Sequence, residues 1–126
     1  MKSLIFAIDF DGTCVTHRYP MIGEDIGAAP VLKRIVDKGH KIILCTMRSG
    51  DLLDEAEDWF LDNGIELYAL NKNPGQKRWT SSPKIYANIY IDDAALGCPL
   101  IFPADGSRPY VDWEKVEYIL EEDGII

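Results

Sequence analysis

Cysteine is scarce in this chain: Cys14, Cys45 and Cys98 are odd in number and far apart. That spacing supplies neither a disulfide framework nor a CxxC metal or redox pair, and it points to reduced thiols in the cytoplasm. Long apolar runs are missing too. The stretch Leu4-Ile5-Phe6-Ala7-Ile8 stops at Asp9, too soon for a signal-peptide core or a membrane span. Cations are few, with 13 Lys+Arg against 21 Asp+Glu and a formal net charge of -8. Without a Lys/Arg cluster there is no broad nucleic-acid surface, whose affinity grows with the number of phosphates neutralised. A polynucleotide end, or a small anion met by local cations or a metal, stays compatible with this balance.

Internal repeats, low-complexity tracts and interdomain linkers are also absent, so the reading is one domain spanning residues 1–126. What is present is a chain 47% hydrophobic, long enough to bury about two-thirds of its unfolded surface. Its apolar runs are nearly continuous, as in strands covered on both faces: Leu4 to Ile8, Lys41 to Thr46, Ile65 to Leu70, Ile85 to Ile91 and a weaker run at Leu100 to Phe102. Helical spacing separates them. Val31, Leu32, Ile35 and Val36 form one stripe ending at Lys38-Gly39. A second has Asp51 as cap, Leu52, Leu53, Ala56, Trp59 and Phe60 as apolar face, and Gly64 as terminator. A third follows Asp112 with Trp113, Val116, Ile119 and Leu120. Its acidic end, Glu121-Glu122-Asp123, opposes the helix dipole and predicts fraying. Residues 71–83 form the longest irregular connection, a length often tied to function in a small domain. The pattern predicts an α/β fold, a doubly wound and mainly parallel sheet of four or five strands with helices on both faces. Its ligand site should lie beyond the carboxyl ends of the strands.

The strongest chemical signal is Asp9-Phe10-Asp11-Gly12-Thr13, directly after the first strand. Two carboxylates at a strand end can converge on one cation, and Gly12 permits the tight turn that follows. An Asx-type turn would explain the pair without a ligand, but Asp92-Asp93 closes another apolar run. A parallel sheet would bring all four carboxylates to one edge. There they repel one another unless a divalent cation compensates them, and an all-oxygen set favours Mg²⁺. Thr46, which ends the second strand, offers a hydroxyl and the backbone N–H groups after it, at Met47 and Arg48, to phosphoryl oxygens. Lys84 offers a mobile cation ahead of the last clear strand.

These residues, in this order, resemble the haloacid dehalogenase-like (HAD) superfamily of phosphohydrolases over residues 4 to about 97. Its first motif matches Ile5-Phe6-Ala7-Ile8-Asp9-Phe10-Asp11-Gly12-Thr13, its second Ile42-Ile43-Leu44-Cys45-Thr46, and its third and fourth Lys84 with Ile89-Tyr90-Ile91-Asp92-Asp93. The resemblance implies that Asp9 is a nucleophile forming an aspartyl-phosphate, and that Asp11 is the general acid, then base. It implies Mg²⁺ held by the Asp9 carboxylate, the Asp11 main-chain carbonyl and Asp92, with Asp93 in or beside the shell. Thr46 and Lys84 would clamp the phosphoryl oxygens. Lys77 competes with Lys84 for that role. Arg48 is a candidate for a second anionic group of the substrate, or else an exposed structural residue.

The intervals between these motifs are consumed by crossover elements, so no cap domain fits. The resemblance then implies a substrate presented on a larger molecule, or a neighbouring subunit of a homo-oligomer serving as lid. Specificity falls to the flap from Cys14 to Gly23, with His17, Arg18 and Tyr19 as candidates for the leaving group; Trp79 and the segment 99–110 are weaker ones. Two other classes compete. A receiver-like phosphoacceptor shares the acidic pocket but orders its motifs differently, and a catalytically silent scaffold would keep the fold without the chemistry. The identity of the phosphorylated substrate is not encoded in these motifs.

Overall fold

The computed structural model describes residues 2–126. Its first half runs strand β1 (Ile5–Ile8), helix α1 (Ala28–Asp37), strand β2 (Lys41–Leu44), helix α2 (Gly50–Asp62) and strand β3 (Ala69–Leu70). A connection with one 3-10 turn, Gln76–Arg78, leads to β4 (Ile89–Ile91). Strands β5 (Leu100–Ile101) and β6 (Tyr110–Val111) and helix α3 (Trp113–Glu122) complete the chain. Strands β3-β2-β1-β4 form one sheet in that order, each neighbour parallel. Ile8 stands opposite Leu44 on one side and Ile91 on the other, so the three strands end level. That register decides where the acidic residues meet.

The helices form where the apolar stripes lie. Val31, Leu32 and Ile35 of α1, Ala56 and Phe60 of α2, and Trp113, Val116 and Leu120 of α3 join Phe6, Ile8, Ile42, Leu44 and Ile91 in one buried cluster. Ala7 and Ile43, which strand alternation turns the other way, are buried outside that cluster. The expected helices on both faces are not matched by a helix in the connection from β3 to β4, which contributes buried Asn73, Gln76 and Ala87 instead.

Several boundaries move from their expected places. Helix α2 begins at Gly50 with Ser49 at the N-cap, leaving Asp51 in the first turn, where its charge still suits the dipole. Asp112 does cap α3, accepting a hydrogen bond from the Lys115 N–H. Helix α3 runs to Glu122, and Arg34 of α1 donates from one nitrogen to Glu117 at 2.8 Å and Glu121 at 3.1 Å. Strand β3 is shorter than the apolar run that announced it; Ile65 is taken up in closing α2, its N–H bonded to the Phe60 carbonyl. Strand β5 pairs antiparallel with β6 and stands outside the parallel sheet.

Candidate active site

Parallel pairing continues one step past the strands: the Asp9 N–H donates to the Ile91 carbonyl at 3.1 Å. The residues following both strands are acidic, and carboxylate oxygens of Asp9, Asp92 and Asp93 lie within 4.8 Å of one another. Burial raises the Asp9 carboxyl to about 7, and the nearby charge of Asp92 adds to the shift, while a hydrogen bond from Thr13 opposes it. Three hard oxygen donors in so small a space suit Mg²⁺ by number and type. The Asp11 carbonyl, the remaining expected ligand, accepts no hydrogen bond from the described residues.

Thr13 binds the two acidic segments together. Its hydroxyl donates to Asp9 Oδ2 at 2.8 Å and accepts from the Asp93 N–H at 3.1 Å. Its carbonyl receives the buried indole N–H of Trp113 at 2.6 Å. The Val111 N–H donates to the Gly12 carbonyl at 3.0 Å, so β6 and α3 brace the turn that carries the motif. Gly12 has φ +80°, and a side chain there would overlap the His17 ring. The space is needed because His17 Nε2 lies 2.8 Å from Asp93 Oδ2.

Asp11 and Arg48 lie together. Arg48 Nε donates to Asp11 Oδ2 at 2.9 Å and Nη2 to Oδ1 at 2.8 Å. The remaining guanidinium hydrogens go to the carbonyls of Pro20, Leu52 and Met21. Arg48 is 2% exposed. The phosphate-binding role expected of its side chain is therefore not met, since all five donors are consumed inside the protein. Nor is it the exposed structural residue of the alternative.

Along the same edge, the Thr46 hydroxyl accepts from the Arg48 N–H at 3.1 Å and the Thr46 N–H donates to Asn71 Oδ1 at 2.8 Å. Met47 is fully exposed, and its N–H donates to no acceptor among the described residues. Lys84 is not drawn to the carboxylates. Its Nζ rests 5.8 Å from the centroid of the Tyr90 ring, and neither it nor Lys77 pairs with an acid among the described residues.

A solved structure of a conserved protein coded by a locus from Bacteroides thetaiotaomicron resembles this chain with a TM-score of 0.78 and 37% identity. The match covers 97% of this chain and 93% of that one. The chain belongs to the family of that conserved protein. No family model matches the sequence, and no curated protein does.

Three participants escape a reading of local pattern. Asn71 takes φ +52° to present its side chain to Thr46; an Asn closing an apolar run is a signal for that conformation. Trp113 looks like a core residue because its ring is one, and the role of its N–H shows only in the fold. The partnership of Arg48 with Asp11 has no local signature.

Proposed function

We propose that this protein is a Mg²⁺-dependent phosphomonoesterase of the HAD-like type, on a parallel α/β core without a cap. The observation that carries the proposal is the convergence of Asp9, Asp92 and Asp93 at the level ends of β1 and β4. Asp9, Asp92 and Asp93, with the Asp11 carbonyl, would hold the ion. When bound, Mg²⁺ would offset the repulsion between Asp9 and an anionic phosphate and stabilise charge on the transferring group.

In this reading the Asp9 carboxylate attacks phosphorus, an acyl phosphate bond forms, and the bond to the ester oxygen breaks. Asp11 gives its proton to the departing oxygen. It then takes a proton from water, whose oxygen attacks the phosphorus, releasing inorganic phosphate and restoring Asp9. Both Asp11 oxygens face Arg48, so the side chain has to turn from Arg48 to do this work. The Thr46 hydroxyl and Met47 N–H would meet phosphoryl oxygens, with Lys84 brought over from Tyr90. We place the protein in the cytoplasm, in keeping with three free thiols; no helix among the described residues is long and apolar enough to cross a membrane.

A second reading has one observation in its favour. With Asp11 gripped by Arg48, the protein could bind metal and phosphate without turnover, as a silent scaffold. Hydrolysis of an aryl phosphate separates the two. Turnover that requires Mg²⁺ and disappears in Asp9→Asn supports the phosphatase; Mg²⁺ and beryllofluoride binding without turnover of any phosphoester supports the scaffold. Turnover that survives in Asp9→Asn defeats the mechanism.

A further inference from the structure

A cavity of about 350 Å³ lies between the flap and the segment joining β5 to β6. His17 belongs both to its wall and to the carboxylate site, since its Nε2 bonds Asp93. His17 therefore links the cavity wall to the acidic cluster. The opposite wall is fixed to the same site, because Val111 at the end of the segment donates to the Gly12 carbonyl. Both walls are thus positioned by the turn that carries Asp9 and Asp11.

The lining carries both hydrogen-bonding senses. Arg18 and Arg108 are donors, Glu24 and Asp105 are acceptors, and Tyr110 lines the cavity with them. Arg18 is engaged with Glu24 at 3.1 Å in an exposed pair, whereas Arg108 joins no ion pair among the described residues. Asp105 accepts the Ser107 hydroxyl at 2.6 Å, which holds its carboxyl below the usual range and keeps it charged. An apolar guest would bury these charges without partners. A polyanion would meet two carboxylates. A guest bearing several hydroxyls, each both donor and acceptor, can answer arginine and carboxylate alike, and an aromatic ring gives its C–H face a platform. The volume admits about one sugar-sized unit, at the low end of small-molecule sites.

We infer that this cavity is the leaving-group subsite, that it takes a polyol or single-sugar moiety of the phosphoester, and that Arg108 is its specificity-determining residue. The inference rests on the phosphatase reading, and the experiment separates the two. Wild type and Arg108→Ala are assayed with Mg²⁺ on hexose and hexitol monophosphates, on an aryl phosphate and on a sugar bisphosphate. A hexitol alone is titrated into both proteins, followed by amide NMR shifts.

Loss of one charge-assisted hydrogen bond predicts a fall of about tenfold in kcat/KM for the hexose or hexitol phosphate in Arg108→Ala, well beyond any change for the aryl ester. Hexitol shifts should centre on residues 105–110 in the wild type and shrink in the variant. A bisphosphate preferred over the monophosphates, or an equal effect of Arg108→Ala on every ester, overturns the subsite while leaving the phosphatase standing. Absence of turnover on every ester, the aryl one included, overturns both.

Discussion

The Arg48 guanidinium holds both carboxylate oxygens of Asp11, at 2.8 and 2.9 Å, with no donor left for any other partner outside the protein. A cation two residues beyond Thr46 thus holds Asp11, and its other hydrogens lock the flap through the Pro20 and Met21 carbonyls. Replacing Arg48 with alanine strands a carboxylate and three carbonyls together. The expected cost is about 3 kcal/mol, a loss in melting temperature on the order of 10 °C by differential scanning fluorimetry. A melting temperature within a degree or two of wild type would mean that the pair holds nothing together.

The pH dependence of stability should report on Asp9. Its folded value of about 7 lies above the ordinary 3.8, chiefly through burial, so the folded chain keeps this proton longer than the unfolded one. The contribution is complete below about pH 4 and is lost as pH rises through about 7. Metal-free wild type should therefore lose stability between pH 5 and pH 8 relative to Asp9→Asn, in paired urea melts. Parallel curves for the two proteins would contradict this assignment.

Magnesium should reverse that loss. Binding at the three carboxylates needs Asp9 deprotonated, so the ion displaces a proton and binds more tightly as pH rises. Added Mg²⁺ should raise the melting temperature more at pH 8 than at pH 5, chelation should cancel the gain, and Asp92→Asn should blunt it. An equal gain in Asp92→Asn would place the ion elsewhere.

Gly12 answers two demands, a positive φ of 80° and contact with His17. Gly12→Ala should cost about 1–2 kcal/mol in backbone strain alone and push His17 off Asp93. His17→Ala removes the ring without the strain. If both variants lose turnover but only Gly12→Ala loses stability strongly, the His17–Asp93 contact matters to the chemistry; full activity in both would assign it to structure.

Trp113→Phe keeps the ring in the core and deletes the N–H that reaches the Thr13 carbonyl. A buried acceptor left unpaired costs about 1–3 kcal/mol. Because Thr13 also carries the hydrogen bonds to Asp9 and Asp93, the loss should reach the site as a lower Mg²⁺ affinity, measurable by calorimetry. Unchanged affinity would show the turn to be rigid without its brace.

Short-range chemistry was legible in the sequence. Continuous apolar runs announced parallel strands, and the residues closing them, Asp9, Thr46 and Asp92-Asp93, meet at one edge because parallel strands of matching register end level. Strand ends inside irregular stretches were less legible: 65–70 and 85–91 read as long strands, yet only Ala69–Leu70 and Ile89–Ile91 pair, since hydropathy reports burial and not hydrogen bonding. The pairing of Arg48 with Asp11, of His17 with Asp93 and of Trp113 with Thr13 belongs to tertiary structure. Each joins side chains from separate segments whose distance is set only when the helices and the hairpin pack on the sheet. Sequence order therefore determined which groups stand at the edge of the sheet, and packing alone decided which of them hold one another.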